Sequence, residues 1–280
     1  MNAKKIFELI SNQLKDVTDE FNIETEIILE NIFNLSRSDI LFSKKITNYN
    51  EKEEYLNSVI NKRKNRVPIQ YIFNKQYFRS YEFYVDENVL IPRAETEILV
   101  DKVIEISKSI KKEKISILDM GTGSGCIAIS LAKEIKNSFV IGSDISDKAL
   151  EIARLNANKV AVNNIDFIKS DKLNFFIDKN IKFDIIVSNP PYIPKKDYLE
   201  LEPEVKNNEP YLALVGDEND GTSFYRYLAE QGKQFLEDKG FIICEIGINQ
   251  DKIIKEIFSN FDNLTFFNDY NNIPRIFCAI

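Results

Sequence analysis

The chain has 280 residues, of which 44% are hydrophobic and 29% charged, a balance typical of globular proteins with room for about two domains. It contains no histidine, which excludes imidazole bases, nucleophile–histidine pairs and histidine-ligated zinc. The net charge of −7 is unevenly distributed: residues 1–80 hold 13 basic and 11 acidic side chains, and residues 81–280 hold 24 basic and 33 acidic ones. The acidic excess of residues 81–280 argues against a long nucleic acid as ligand.

Cysteine spacing and hydropathy predict the cellular setting. Cys126, Cys244 and Cys278 are far apart and lack metal-type spacing, so we expect reduced thiols, no metal site and a cytoplasmic protein. Residues 1–15 lack the apolar core of a signal peptide. No apolar run approaches the ~18 residues of a membrane helix, so we expect no membrane partner.

The first 67 residues contain neither glycine nor proline, which favours helices. Ile6, Ile10 and Leu14 share one helical face, and residues 1–67 are predicted to form a small helical bundle. The basic run at residues 62–66 is either a solvated helix end or, less favoured, a contact to RNA or an acidic partner. Residues 68–93 are rich in aromatic and β-branched side chains and predict a β-hairpin linker.

Residues 94–280 alternate between helical and strand patterns. An amphipathic helix carries Leu99, Val103, Ile106 and Ile110, and later helices are predicted over 147–160 and 222–237. The pattern predicts an α/β fold, a mostly parallel seven-stranded sheet covered on both faces. Its predicted strands are residues 115–119, 139–144, 166–169, 183–188, 241–246, 264–268 and 275–280.

A glycine-rich turn, Asp119-Met120-Gly121-Thr122-Gly123-Ser124-Gly125, follows the first of these strands and precedes an apolar helix. In this context such a turn indicates nucleotide binding. The spacing departs from the dinucleotide pattern, and the acidic Asp119 disfavours a pyrophosphate and favours a sulfonium or ammonium group. Asp144 ends the next strand, where a carboxylate can accept both ribose hydroxyls. We therefore favour an adenosyl cofactor without phosphates over a plain structural turn.

The turn Asn189-Pro190-Pro191-Tyr192 lies at the carboxyl end of an apolar strand, where open α/β sheets bind ligands. Two prolines make the turn rigid and remove two N–H donors. The Asn189 side-chain oxygen and a backbone carbonyl can accept both hydrogens of a planar –NH2 group, and Tyr192 offers a ring for stacking. The turn therefore predicts a receptor for a carboxamide or amino group, although a rigid loop would also explain Pro-Pro alone.

Together these motifs resemble S-adenosylmethionine-dependent amino methyltransferases, most closely the HemK/PrmC family of protein-(glutamine-N5) methyltransferases that modify peptide chain release factors. The resemblance covers nearly the whole chain and departs from the family pattern at Ala94, a usual proline, and at Lys172, where an aromatic residue often borders the adenine. The matching segments are residues 68–72, 89–93, 95–97, 119–125, 144–146, 189–193, 209–210 and 213–214.

The resemblance implies a Rossmann-like methyltransferase domain at 94–280, a hairpin linker at 68–93 and a helical substrate-recognition domain at 1–67. S-adenosylmethionine is the implied cofactor and the glutamine of a release factor's Gly-Gly-Gln motif the implied methyl acceptor; we expect a monomer. The implied cofactor-binding residues are Asp119, Gly121, Thr122, Gly123, Ser124, Gly125, Asp144, Ile145, Asp171, Lys172 and Asn189. The implied substrate-binding residues are Arg93, Asn189, Pro190, Pro191 and Tyr192, of which Asn189, Pro190 and Tyr192 form the catalytic turn.

Some alternatives stay open at this point. The acceptor is alternatively a glutamine of a ribosomal protein or an adenine amino group in nucleic acid, the latter disfavoured by the acidic charge. A non-catalytic S-adenosylmethionine-binding protein predicts decay of the Asn189–Tyr192 turn, which is intact, and the glycine spacing disfavours an oxidoreductase. Arg93 either contacts the site or substrate, or packs against an acidic neighbour.

Overall fold

The computed structural model describes residues 1–280, which divide into two compact units. The first unit comprises Met1–Asn74 and Glu202–Asn208, and the second comprises Lys75–Leu201 and Glu209–Ile280. The helices are α1 (Ala3–Leu14), α2 (Phe21–Phe33), α3 (Arg37–Leu41), α4 (Tyr49–Lys64), α5 (Ile69–Phe73), α6 (Ala94–Ser107), α7 (Cys126–Glu134), α8 (Asp147–Val160), α9 (Pro203–Asn208), α10 (Tyr211–Leu214), α11 (Ser223–Gln231) and α12 (Asp251–Ile257). The strands are β1 (Gln76–Phe78), β2 (Tyr81–Phe83), β3 (Ile115–Met120), β4 (Ser138–Asp144), β5 (Ile165–Lys169), β6 (Phe183–Ser188), β7 (Ile193–Pro194), β8 (Val215–Asp217), β9 (Leu236–Glu245), β10 (Leu264–Asn268) and β11 (Pro274–Ala279).

The first unit is helical and has its own apolar core. Helices α1, α2 and α4 pack together, and the apolar stripe of α1 that includes Ile6, Ile10 and Leu14 is fully buried. Ile28 and Leu56 contribute to the same core from α2 and α4. The amphipathic periodicity in the first 67 residues therefore corresponds to helices that bury one face against each other.

A buried ion cluster holds the α9 segment within this unit. Arg63 is 3% exposed and donates from Nε and Nη2 to the Glu24 carboxylate at 2.6 and 3.0 Å, and from Nη2 to Glu204 Oε1 at 2.8 Å. Arg66 donates to the carbonyl of Val17 and to Glu204. Two cations of the basic run at 62–66 thus have internal partners, whereas Lys62 and Lys64 are exposed at the end of α4.

The second unit is built on a seven-stranded sheet with the order β10-β11-β9-β6-β3-β4-β5. Strands β3, β4, β5, β6 and β9 are parallel, and β11 runs antiparallel to both β9 and β10. The order reverses between β3 and β6, since β4 lies on one side of β3 and β6 on the other. Open α/β sheets bind ligands at such a reversal, beyond the carboxyl ends of the strands.

Helices cover both faces of this sheet, as the strand pattern predicts. Successive side chains of a strand point to opposite faces, and Ile117 packs with α6, α7 and α8 whereas Leu118 packs with α11 and α12. Ile185 and Ile186 in β6 divide in the same way. The α/β fold class with a mostly parallel seven-stranded sheet is confirmed, and so is the helix over 147–160.

Two local predictions were wrong. Residues 69–73 are predicted to belong to the β-hairpin linker but form α5, and only residues 76–83 make the hairpin of β1 and β2. Ile69 and Ile72 of α5 are buried in the helical core, and this burial outweighs their β propensity. The helix predicted over 222–237 ends at Gln231 and continues as a 3₁₀ turn, and β9 begins at Leu236. No helix in the structure is both long and apolar enough to cross a bilayer.

Candidate active site

A cavity of about 370 Å³ lies in the second unit beyond the carboxyl ends of β3, β4 and β6. This is the strand-order reversal described above, and the volume falls in the usual range for small-molecule sites. Residues 88–90, 210, 212–213 and 215–216 supply part of its wall; some of them lie in the segments that carry the family resemblance, and none was predicted as a site residue. Eight of the predicted site residues line the cavity: Gly121, Gly123, Asp144, Ile145, Asp171, Lys172, Asn189 and Pro191. Seven do not: Arg93, Asp119, Thr122, Ser124, Gly125, Pro190 and Tyr192.

The glycines of the turn after β3 have two different functions. Gly121 and Gly123 have positive φ angles of 76° and 52°, and a Cβ atom at either would meet nothing within 4 Å, so bare backbone faces the open cavity there. At Gly125 a Cβ would approach Ile129 Cδ1 at 2.9 Å and Ala153 Cβ at 3.1 Å. The first two glycines allow a ligand close to the backbone, and the third allows close packing of α7.

Asp119 holds the glycine turn from inside the protein. The residue is fully buried, and its Oδ2 accepts from Thr122 Oγ1 at 2.6 Å and from the amide of Ala128 at 3.1 Å. Burial raises the pKa of Asp119 to about 7 despite these two hydrogen bonds. The side chain holds the turn and is not among the residues that line the cavity.

Asp144, at the end of β4, presents a carboxylate to the cavity. Its Oδ2 accepts from the amide of Gly123 and its Oδ1 from the amide of Ser146, both at 2.9 Å. Burial raises the pKa of this carboxyl, and the two amide donors oppose the shift. A carboxylate oxygen accepts about two hydrogen bonds, so one acceptor position on each oxygen remains for a ligand with two adjacent hydroxyls.

The segment after β5 forms a second wall of the cavity. Ser170 donates from its amide to the carbonyl of Asp144 at 2.9 Å and from Oγ to the carbonyl of Lys172 at 2.7 Å, which fixes the turn. Lys172 has a φ of 51°, and its ammonium lies over the Tyr227 ring, 4.6 Å from the centroid. Lys172, which stands where an aromatic residue is common in the family, therefore adds its aliphatic stem to the wall while its charge lies against an aromatic ring.

The Asn-Pro-Pro-Tyr turn follows β6 at the opposite side of the cavity. Asn189 Nδ2 donates to Thr96 Oγ1 at 3.0 Å, and Thr96 Oγ1 donates to Glu245 Oε2 at 2.7 Å. The Tyr192 hydroxyl donates to Glu245 Oε1 at 3.4 Å, and the Arg275 guanidinium lies 5.8 Å from the ring centroid of Tyr192. Asn189 lines the cavity, whereas Tyr192 is not among the lining residues.

Arg93 has an acidic partner. Its guanidinium donates to Glu209 Oε1, and Glu209 Oε2 accepts from the amide of Ile91 at 3.3 Å. Burial raises the pKa of Glu209, and the Arg93 charge opposes the shift. Of the two readings left open for Arg93, the geometry fits the one in which it packs against an acidic neighbour.

Sequence reasoning gave no role to Thr96, Glu245 or Arg275, which support the Asn-Pro-Pro-Tyr turn. Thr96 lies in the segment 95–97 that carried part of the family resemblance, which was the available signal. Glu245 ends strand β9 and is 1% exposed. A carboxylate in a buried strand is uncommon unless it has a partner. An acidic residue at the end of an apolar strand was therefore the sequence signal that could have identified Glu245.

The fold and the cavity at the strand-order reversal define a methyltransferase of the Rossmann-like class. Residues 111–273 match the family model of a methyltransferase domain, and residues 5–73 match the PrmC N-terminal domain. Among solved structures, the hMettl16 catalytic domain in complex with an RNA hairpin has a TM-score of 0.56 at 14% identity, over 94% of this chain and 81% of that one. A methyltransferase from Pyrococcus furiosus has a TM-score of 0.50 at 15% identity, over 83% and 98%. These two likenesses describe the fold.

Curated relatives narrow the class to one family. A release factor glutamine methyltransferase of Flavobacterium psychrophilum is 41% identical over 267 residues, which cover 92% of each chain. That of Fusobacterium nucleatum subsp. nucleatum is 38% identical over 262 residues, 92% of this chain and 72% of the relative. The chain belongs to the release factor glutamine methyltransferase family, as its motifs predicted.

Proposed function

We propose that this protein transfers a methyl group from S-adenosylmethionine to the side-chain amide nitrogen of the glutamine in the Gly-Gly-Gln motif of a peptide chain release factor. The observation that carries the proposal is the position of Asn189, an amide on the wall of the same cavity that Asp144 and the bare glycine backbone line. Family membership supports the choice of acceptor.

The residues present fit the cofactor. Gly121 and Gly123 leave room against their backbone, and Asp144 keeps two acceptor positions for the ribose diol. The wall at residues 170–172 is available to the adenine, and Ile145 adds an apolar, 52% exposed side chain beside it. When bound, S-adenosylmethionine supplies a sulfonium methyl group as the electrophile. The one cationic side chain that lines the cavity, Lys172, lies over Tyr227, so none is available at the glycine turn to bind a phosphate.

The acceptor site works by orientation. The Asn189 oxygen on the cavity wall and a backbone carbonyl of the turn accept the two N–H hydrogens of the glutamine carboxamide. These two contacts hold the plane of the carboxamide and direct one face of its nitrogen into the cavity. Because an amide nitrogen is a weak nucleophile, alignment is the main contribution that this turn can make, and alignment can lower a barrier by ~7–11 kcal/mol. This chemistry suits a protein without histidine.

The proposal also covers the partners and setting of the protein. The acidic charge of residues 81–280 argues against a long nucleic acid as acceptor. We retain the expectation of a monomer. Because release factors act on ribosomes, the proposal implies a cytoplasmic enzyme.

The test is transfer of labelled methyl to purified release factor by wild-type protein and by Asn189→Ala. We expect the variant to lose more than about 100-fold in turnover while calorimetry gives an unchanged dissociation constant for S-adenosylmethionine, because the amide is needed for the acceptor. Asn158→Ala, at an exposed position of α8 outside the cavity, is the matched control and is expected to behave as wild type. Release factor with its Gly-Gly-Gln glutamine replaced, and double-stranded DNA, are the control acceptors.

Two results would contradict the proposal. Turnover by Asn189→Ala close to the wild-type rate would remove the amide-receptor role from the turn. Methylation of the control release factor, or of DNA in preference to release factor, would show that the acceptor is a different group.

A further inference from the structure

A line of buried polar side chains extends from Asn189 away from the cavity. Asn189 Nδ2 lies 3.0 Å from Thr96 Oγ1, and Thr96 Oγ1 lies 2.7 Å from Glu245 Oε2. Thr96 is 2% exposed and Glu245 1% exposed, and neither lines the cavity. Neither residue therefore contacts a ligand in the cavity directly, and Asn189 is the member of the line that does.

We infer that Thr96 and Glu245 are positioning residues that fix the Asn189 amide with its oxygen toward the acceptor, and so make the site selective for a carboxamide over a carboxylate. The inference rests on the proposed function, because it concerns how the acceptor glutamine is recognised. The numbers of hydrogen-bond donors and acceptors in the line explain why the Asn189 amide has this orientation.

The donor count determines the orientation. Burial raises the pKa of Glu245, and the hydrogen bond from Thr96 and the charge of Arg275 oppose the shift. With Glu245 as the carboxylate beside Arg275, the residue only accepts hydrogen bonds, and a threonine hydroxyl has one proton. The Thr96 proton therefore goes to Glu245 Oε2, and Thr96 Oγ1 can only accept from Asn189. The NH2 group of the Asn189 amide must therefore face Thr96, which leaves the amide oxygen on the side away from Thr96.

The other oxygen of Glu245 is held by different partners. The Tyr192 hydroxyl lies 3.4 Å from Oε1, and an Arg275 guanidinium nitrogen lies 3.5 Å from it. Arg275 is itself mostly buried. These donors occupy the Oε1 side, so Oε2 is the oxygen that remains for Thr96.

Selectivity follows from which half of the Asn189 amide faces the acceptor. An oxygen accepts from the N–H of a glutamine side chain, whereas a glutamate carboxylate in the same place brings no donor and adds charge repulsion from the oxygen dipole. An amide turned by 180° would present NH2 and favour the carboxylate. A buried polar group left without its partner costs about 1–3 kcal/mol, equivalent to roughly a 10- to 100-fold change in affinity.

Substitutions in the line give opposite expectations for a positioning role and for a space-filling role. Thr96→Val keeps the shape and removes the hydroxyl, and Thr96→Ser restores the hydroxyl with a smaller side chain. In Glu245→Gln, the Arg275 guanidinium attracts the new amide oxygen, so the new NH2 faces Thr96. The Thr96 proton then turns to Asn189, which can receive it only by presenting its oxygen and turning its NH2 to the cavity.

The experiment uses the full-length protein in four forms: wild type, Thr96→Val, Thr96→Ser and Glu245→Gln. Thr265→Val, an exposed threonine of β10, is the matched control. For each we would measure the dissociation constant for S-adenosylmethionine, kcat and KM with release factor, and the affinity for Gly-Gly-Gln and Gly-Gly-Glu peptides. The NMR signals of the Asn189 side-chain NH2, assigned by their loss in Asn189→Ala, report its orientation directly.

We expect cofactor affinity within about twofold of wild type in every form. Thr96→Val should lose about 10- to 100-fold in kcat/KM and Thr96→Ser should retain most of the activity. Glu245→Gln should lose the preference for the glutamine peptide and shift the Asn189 NH2 signals. Thr265→Val should match wild type.

Equal losses in Thr96→Val and Thr96→Ser, or unchanged Asn189 signals in Glu245→Gln, would overturn the inference. The proposed function fails by a separate result, namely wild-type protein that binds S-adenosylmethionine and does not methylate release factor. The NMR measurement needs no acceptor, so it decides the orientation of Asn189 in either case.

Discussion

Replacement of Asp144 by asparagine tests the cofactor site with the smallest change in shape. In the wild type, both carboxylate oxygens already accept a backbone amide, from Gly123 and Ser146, at 2.9 Å. Each oxygen has one acceptor position left for the ribose diol. In Asp144→Asn an NH2 group replaces one oxygen, so one position for a ribose hydroxyl is lost and one backbone N–H faces another donor.

The magnitude follows from that count. A hydrogen bond to a charged group contributes about 1.5–3 kcal/mol, and 1.4 kcal/mol is about a tenfold change in a dissociation constant. The asparagine variant should therefore bind S-adenosylmethionine about 10- to 100-fold more weakly. Asp144→Ala loses both acceptor positions and should bind more than about 100-fold more weakly.

Isothermal titration calorimetry with S-adenosylmethionine measures this directly, and the unfolding temperature of each variant without ligand reports its folding. Asp147→Asn is the matched control, because Asp147 lies three residues after Asp144 in the first turn of α8, pairs on the surface with Lys169 and is outside the cavity. A dissociation constant for Asp144→Asn within twofold of wild type would refute the assignment of Asp144 to the ribose.

Two further predictions concern stability. Asn156→Ala should lower the free energy of unfolding by about 3 kcal/mol, because Asn156 is the partner of the Tyr84 amide and of the carbonyls of Tyr84 and Ser124. Urea unfolding measures this loss, with the exposed Asn158→Ala as the control. A loss below about 1 kcal/mol would contradict the prediction. Burial raises the pKa of Asp119 to about 7, so between pH 4 and 7 the folded protein keeps a proton that the unfolded chain releases, and stability falls as the pH rises. Relative to Asp119→Asn, wild type should lose about 2 kcal/mol of unfolding free energy between pH 5 and pH 7, and parallel pH curves of the two proteins would disprove this.

Local pattern was enough to predict the sheet and the general position of the site. The strands of the second unit were predicted from the alternation of strand and helix patterns, and the carboxyl ends of parallel strands meet at one edge of the sheet. The glycine turn after β3, Asp144 after β4 and Asn189 after β6 therefore had to lie near each other once the strand order was known. Their residue types then indicated what each could bind.

Side-chain direction was beyond the reach of the same reasoning. Tyr192 is predicted to stack in the site; its hydroxyl donates to Glu245, and the residue is not among those that line the cavity. Asp119 was expected to influence the ligand, yet it holds Thr122 and the start of α7. A residue in a turn can point either way, and the partner that decides lies on another element.

The sequence by itself determined the class of this protein, because helical and strand periodicity, the glycine turn and the Asn-Pro-Pro-Tyr turn are all local properties of the chain. Only the tertiary structure decided how the site is supported. Thr96 is 93 residues from Asn189 and 149 from Glu245, and Arg63 is 141 residues from Glu204. Such pairs form when packing of the apolar faces brings distant elements together and excludes water, so that each buried polar group must find the partner within reach.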